Sequence, residues 1–150
     1  MKNNILKILI VLFFSLIQLN VSASEQFNFE VTELEITNQG NIIRGLNRGT
    51  AISESGIIIE ADYFEYDKIK NILKAKGNVI FNDQANGITI TTEIANYFKN
   101  NEKVFTETDS KAIDNEGKVI TADKFNYDKI NNLIIATGNV KIVNKLEDYE

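Results

Sequence analysis

The side chains of this 150-residue protein best placed to do chemistry are four carboxylates that recur in a fixed frame, Asp62 and Asp67, then Asp123 and Asp128. Repeated carboxylates suggest calcium ligands or an acid–base pair. Calcium, however, takes six or more oxygens from a densely acidic loop, and the spacing Asp-x-x-x-x-Asp is sparse. The chain holds neither His nor Cys, so the usual nucleophile–base pairs and zinc sites cannot be assembled. Nothing marks a Ser-Lys pair or a carboxylate dyad. Backbone work accounts better for these aspartates, because Asp and Asn side chains accept and donate local hydrogen bonds in turns and bulges. The reading is therefore of a protein that is not an enzyme and uses no metal and no cofactor.

The frame that repeats the aspartates is long. The 28 residues from Gly56 and the 28 from Gly117 align without a gap at an offset of 61, and half of the paired positions are identical. The matches include Ile59/Ile120, Ala61/Ala122, Asp62/Asp123, Phe64/Phe125, Tyr66/Tyr127, Asn71/Asn132 and the Gly-Asn-Val triplets at Gly77 and Gly138. A weaker copy lies between them, since Gly87, Ile88, Ile90, Glu93, Tyr97 and Lys99 each stand 31 residues after their counterparts. The unit is thus about 30 residues, and a degenerate fourth unit is expected over Phe27 to Glu54, with Gly49-Thr-Ala-Ile as a worn Gly77-Asn-Val-Ile. Units of this size cannot bury an apolar face alone and stack on their neighbours, with atypical units at the ends.

Within each unit the apolar period is two, the signature of strands. Ile59 and Ala61 define one face; Phe64 and Tyr66 continue it only if the parity slips by one, which a β-bulge at the Ala-Asp step produces. The stretch Tyr-Asp-Lys-Ile-x-Asn reads as a hairpin connection held by Asp67 and Asn71. Leu73 and Ala75 resume the inner face, Gly77-Asn is a second turn or bulge, and Val79 and Phe81 follow. Each unit is a hairpin, four units give roughly eight to ten antiparallel strands, and no segment after Glu25 has a helical period. Such hairpins form either a closed sandwich or two sheets facing across an apolar lumen.

Ahead of the repeats, Lys2 and Lys7 flank a charge-free apolar run from Ile8 to Leu19, followed by Val21-Ser-Ala-Ser. This reads as an export signal cleaved near Ser24; a retained anchor would want about 20 apolar residues. Residues 25–150 then form a single domain. Cleavage leaves 14 basic and 21 acidic residues, a balance that argues against nucleic acid and against a polybasic membrane-surface module. With no cysteine, stability rests on packing and strand pairing.

The ordered pattern Gly-x-Ile-x-Ala-Asp-x-Phe-x-Tyr-Asp … Asn-x-Leu-x-Ala-x-Gly-Asn-Val, occurring twice behind a leader, resembles the OstA-like family of lipopolysaccharide transport from about Phe27 to Val143. The resemblance implies an all-β, antiparallel open β-jellyroll in the periplasm, whose apolar groove takes the lipid A acyl chains of lipopolysaccharide while the sugars stay in water. It implies end-to-end association through edge strands, with other jellyroll proteins or as a homo-oligomer, bridging inner and outer membranes. The lipid-lining positions it points to are Ile59, Phe64, Tyr66, Leu73, Val79 and Phe81, then Ile90 and Tyr97, then Ile120, Phe125, Tyr127, Ile134, Val140 and Ile142. Ordinary core packing is the alternative for each. Two other readings stay open: the periplasmic N-terminal domain of the outer-membrane assembly barrel, outer-membrane associated, and a structural β-solenoid or adhesin that binds no lipid.

Overall fold

The computed structural model describes residues 27–144; the expected leader and its cleavage site lie outside the described residues. Twelve strands follow in order: β1 (Asn28–Thr37), β2 (Ile42–Ile52), β3 (Ile57–Ala61), β4 (Tyr63–Asp67), β5 (Ile72–Asp83), β6 (Ile88–Phe98), β7 (Lys103–Thr106), β8 (Ser110–Ile113), β9 (Val119–Ala122), β10 (Lys124–Asp128), β11 (Leu133–Thr137) and β12 (Lys141–Val143). Only two short 3₁₀ turns, Asn38–Gly40 and Lys99–Asn101, interrupt them.

The pairing makes these twelve segments into eight bent strands, here called lanes 1 to 8. Lanes 1, 2, 4 and 5 are β1, β2, β5 and β6; lanes 3, 6, 7 and 8 are β3–β4, β7–β8, β9–β10 and β11–β12. Each lane pairs antiparallel with the next in chain order. The four expected units are therefore four hairpins in one meander, and the strand count exceeds eight to ten only because four lanes break at their bend. The sheet folds across the line of bends into two half-sheets. Half-sheet I holds β3, β8, β9 and β12 with the adjoining parts of β1, β2, β5 and β6; half-sheet II holds β4, β7, β10 and β11 with the remainder.

The bends are made by the repeated motif. Asp62 stands between β3 and β4, and its N–H is shared between the carbonyls of Lys76 (3.2 Å) and Gly77 (3.0 Å) on lane 4. There Gly77 and Asn78 both take positive φ, 75° and 45°, and the register slips between Lys76 and Val79. Asn78 Nδ2 closes the corner by donating to Asp62 Oδ2 at 2.8 Å. Lanes 7 and 8 repeat it: the Asp123 N–H reaches the Gly138 carbonyl at 2.9 Å, and Asn139 Nδ2 donates to Asp123 at 3.0 Å. Glycine is required at Gly77 twice over, by its φ and because a Cβ there would lie 2.9 Å from Asp62 Cβ.

The first unit departs from the expectation. Its bend falls on Asn47 and Arg48, with φ of 63° and 54°, and not on Gly49, which is level with Val79, two residues before the Ala51 and Phe81 that belong to one cross-strand row. The backbone conformation is the same, but Asn and Arg carry it where the later units use Gly and Asn. In the third unit hydroxyls replace the carboxylate. Buried Ser110 Oγ lies within hydrogen-bond distance of Thr106 Oγ1 at 2.7 Å and of Thr92 Oγ1 at 3.1 Å, and Thr106 accepts the Phe125 N–H at 2.8 Å.

The hairpin ends are as regular. Asp67 Oδ1 accepts the N–H groups of Ile69 and Lys70, both at 3.0 Å, and Asp128 Oδ1 accepts that of Asn131 at 3.1 Å. The last turn residue is left-handed at Asn71, Glu102 and Asn132, whereas in the first turn Asn38, Gln39 and Gly40 are left-handed and Asn41 returns to the right-handed region. The carboxyls of Asp67 and Asp128 are held below their ordinary 3.8, chiefly by the backbone N–H donors of Lys70 and Asn131. Asp62 is lowered too, by Asn78 first and Arg48 second.

Two predictions follow from the corners and turns. Gly77→Ala and Gly138→Ala each cost about 1–3 kcal/mol, since a left-handed position and a close approach are both violated; urea denaturation of each variant measures it, and a loss under about 0.5 kcal/mol overturns the account. Carboxylates with lowered folded values stabilise the fold fully above their ordinary pKa and stop doing so as pH falls through the folded one. Without histidine nothing titrates near pH 6.5. The thermal midpoint is therefore flat from about pH 7 to about 5.5 and falls below about pH 4; a step near neutrality in the calorimetric scan contradicts this.

Candidate functional site

The positions able to bind anything apolar lie on the facing inner surfaces of the two half-sheets, and cross-strand pairing sorts them into rows. On half-sheet I, Phe29, Ala51, Ile59, Phe81, Ile90, Ala112, Ile120 and Ile142 are directly opposite one another from lane 1 to lane 8. On half-sheet II the row is Ile36, Ile43, Tyr66, Leu73, Tyr97, Val104, Tyr127 and Ile134. Neighbouring rows add Phe64, Val79 and Phe125. No charged residue interrupts either row.

The half-sheets face each other out of step. Phe29 of lane 1 packs its ring on Phe64 and Tyr66 of lane 3, at 6.0 and 6.4 Å between centroids. Phe81 of lane 4 lies 5.8 Å from Tyr97 of lane 5 and 6.1 Å from Tyr127 of lane 7. These edge-to-face and tilted contacts are the geometries that aromatic quadrupoles favour. Half-sheet II is thus displaced towards later lanes, and burial follows. The row positions of the middle lanes are sealed, while Ile36 at one end is 60% exposed and Ile142 at the other 62%.

Opposite the line of bends, the free margins of the half-sheets meet in a seam of polar bonds. Ser55, in the turn between lanes 2 and 3, donates to Glu102 between lanes 5 and 6 at 3.4 Å. Glu102 also accepts Tyr97 Oη at 2.7 Å and pairs with Lys129 at 3.1 Å. In the turn between lanes 4 and 5, Asn86 Nδ2 donates to the Lys129 carbonyl at 2.9 Å, and fully buried Asp83 accepts Tyr127 Oη at 2.7 Å. Burial first, and then the carboxylate beside each, push the Tyr97 and Tyr127 phenols up, so both remain donors. Among the described residues every buried side-chain polar atom has a partner.

The contacts that cross between the margins, Ser55 to Glu102 and Asn86 to Lys129, join turns three lanes apart, whereas Glu102 and Lys129 pair along one margin. The turn between lanes 6 and 7 has no partner turn within the described residues, and there the interior opens. The mouth is a cavity of about 350 Å³ with Ile88, Ala112, Ile120 and Ile134 inside, and with the amides Asn86, Asn115 and Asn132 and the charged Asp114, Glu116 and Lys118 around them. A larger groove of about 1070 Å³ lies on the outer face of half-sheet I, along the bends, with Arg48, Asp62, Thr91, Lys111, Asp123 and Lys141 among its residues. Charged and hydroxyl side chains line it together with Val79, Ile80 and Ala122.

Of the fourteen lining positions read from the sequence, Ile59, Phe64, Tyr66, Leu73, Val79, Phe81, Ile90, Tyr97, Phe125 and Tyr127 are buried in the interior. Ile120 and Ile134 are half-buried at the mouth. Val140 and Ile142 are exposed, although they occupy in the last hairpin the places of Val79 and Phe81, because no strand of half-sheet II faces them. Sequence reasoning omitted Phe29, Ala51 and Ala112 from one row, Ile36, Ile43 and Val104 from the other, and all the seam residues. Period-two parity carried from β2 back into β1 finds Ile36; the seam has no local signal, since its partners are 41 to 47 residues apart.

Comparison with known proteins follows the architecture. The chain is similar in structure to LptH of Pseudomonas aeruginosa, described as the LptA-homologous periplasmic component of the conserved lipopolysaccharide transport device, with a TM-score of 0.70 and 12% identity over 79% of this chain and 94% of that one. At that identity the likeness is one of fold, an LptA-like jellyroll. No curated protein matches the sequence. The family model described as OstA-like protein matches residues 28–149. With that match spanning the whole of the bent meander and both copies of its corner motif, the chain belongs to the OstA-like family.

Proposed function

We propose that this protein carries lipopolysaccharide between membranes in the periplasm, holding lipid A acyl chains between the half-sheets while the sugars remain in water. The observation that carries the reading is the pair of uncharged rows that cross all eight lanes and end exposed on both sides. An interior meant only for stability has no need to present large apolar residues at each end of the stack. Membership of the OstA-like family and an LptA-like fold support the same reading. No catalysis is required of the chain; successive apolar stations suffice, each methylene contributing about 0.8 kcal/mol when removed from water.

The mouth at Ile120 and Ile134 is the natural entrance, because it is already open and four apolar side chains, Ile88, Ala112, Ile120 and Ile134, stand within a polar and charged rim. Deeper occupancy requires the half-sheets to part along the polar seam. The exposed edges of β1 and of β11–β12 are the surfaces through which copies, or related jellyrolls, would join end to end and extend the channel from inner to outer membrane.

A photo-reactive residue at Ile134, at Phe64 or, as an outward control, at Glu65 tests this in cells making lipopolysaccharide. Adducts at Ile134 and Phe64 with none at Glu65 are expected. An adduct at Ile134 alone restricts the lipid to the mouth and overturns deep occupancy; none at either position turns the reading to a sealed structural β-solenoid.

A further inference from the structure

We propose that Asn86 is a modification site at which opening of the seam becomes permanent: when the margins part, its side chain deamidates to aspartate or isoaspartate. Asn86-Gly87 is the one Asn-Gly step in the 150 residues. A following glycine has no side chain to hinder attack by its backbone nitrogen on the asparagine amide. The turn that carries this step is also unlike its relatives. The turns leaving lanes 2 and 6 run from Ser53 to Gly56 and from Asp114 to Gly117, four residues ending in a left-handed glycine. The turn leaving lane 4 runs from Asp83 to Gly87 and has five, again ending left-handed. Only here does asparagine precede the glycine, and only here does that residue's side chain reach across the seam to the turn between lanes 7 and 8.

In the closed molecule the reacting groups are pinned. Asn86 Nδ2 lies 2.8 Å from Asp83 Oδ2, 3.0 Å from Tyr127 Oη and 2.9 Å from the Lys129 carbonyl, and Asp83 Oδ1 accepts the Asn86 N–H at 3.3 Å. Gly87 is confined as well, since a Cβ there would lie 2.9 Å from Asn115 Cβ. Attack requires Asn86 Cγ to swing onto the Gly87 nitrogen, and that movement breaks the contacts to Tyr127 and Lys129. Reaction is therefore restricted to the open fraction, and its rate counts openings as amide hydrogen exchange does.

The chemistry needs only water. The Gly87 nitrogen bonds to Asn86 Cγ and gives up its proton, the Cγ–Nδ2 bond breaks, and ammonia leaves a five-membered imide. Water then cleaves the imide at Cγ, giving aspartate, or at the main-chain carbonyl carbon, giving isoaspartate. Either product sets a carboxylate where a donor stood, facing the buried carboxylate of Asp83 and the Lys129 carbonyl. Like charges and unmatched acceptors at a half-buried position oppose closure. The link between the two turns is lost, and the mouth, whose wall includes Asn86 and Asn132, stays open.

The test follows the full-length folded protein in warm, mildly alkaline buffer by peptide mass, reading the conversion of amide to acid at each asparagine. Asn86 reacts first, at least tenfold more slowly than in the same chain unfolded in urea. Tyr127→Phe removes one of the contacts and leaves the Asn-Gly step intact, so it speeds the reaction several-fold. Gly138→Ala, which weakens a corner remote from the seam, speeds it less. Equal rates folded and in urea, or earlier reaction at another asparagine, overturn the proposal; equal acceleration by the two variants assigns the reaction to global unfolding and overturns it too. In Asn86→Asp, which carries one product from the start, the backbone amides of residues 83–87 and 129–132 exchange at least tenfold faster, and unchanged exchange contradicts permanent opening. Only the effect of lipid rests on the proposed function: purified lipopolysaccharide added to the folded protein speeds deamidation of Asn86. No acceleration, with the other results as expected, overturns lipid as the opener and leaves the modification site standing.

Discussion

The structure depends on a difference of one residue. Every even lane carries one more residue between the two apolar rows than the odd lanes beside it, and the surplus has to be absorbed at the same level across the sheet. Asp62 against Gly77-Asn78 and Asp123 against Gly138-Asn139 absorb it with a left-handed pair on one strand and, on the other, an aspartate N–H that reaches the carbonyl of that pair's glycine. A sheet bulged at one level across its width bends along that line. Bent strands can present two inner faces from one continuous meander, so a sandwich arises with no crossover connection. The short antiparallel links, with their four-residue Asp- and Asn-capped turns, are then sufficient for the whole topology.

Because sheets twist, the bent halves close out of step, and this displacement decides what is buried. Phe81 and Ile142 occupy the same place in their hairpins and follow the same Gly-Asn-Val motif, yet one is 1% exposed and the other 62%. Their local sequence is not the cause. Lane 4 of half-sheet I has lanes 5 and 7 of half-sheet II above it, whereas lane 8 would need lanes that a single copy does not possess. The interior is therefore closed in the middle by geometry and open at both ends by the same geometry.

This explains which parts were legible in the amino-acid order. Faces are local: Ile59, Phe64, Leu73 and Phe81 read as inward from period two and a parity slip, and their counterparts read the same way. The bends at Asp62 and Asp123 were visible because two near-identical copies could be compared. Matching Gly49-Thr-Ala-Ile to Gly77-Asn-Val-Ile sets the first bend two residues late, because the left-handed pair there is Asn47 and Arg48 and carries no glycine. The hydroxyl corner of Thr92, Thr106 and Ser110 has no counterpart in the other units to compare with. The seam was invisible because Asp83–Tyr127 and Ser55–Glu102 are contacts between margins of a closed sandwich, and nothing within one repeat encodes which turn comes to lie opposite which.

On the proposed function, the seam is also where stability and carriage would meet. A neutral hydrogen bond contributes a net of about 0.5–1.5 kcal/mol, and one to a charged group about 1.5–3. Parting Asp83 from Tyr127, Asn86 from Lys129 and Ser55 from Glu102 thus costs on the order of 5 kcal/mol, less where water replaces the lost partner. Each buried methylene returns about 0.8 kcal/mol, so some six to eight methylenes, less than one long acyl chain, offset the opening. A seam made of apolar contacts would not behave in this way, because opening it would expose the surface that the lipid then covers and the exchange would release little to water. On the proposed function, polar fastenings over an apolar interior would keep the empty molecule closed until a hydrocarbon chain enters.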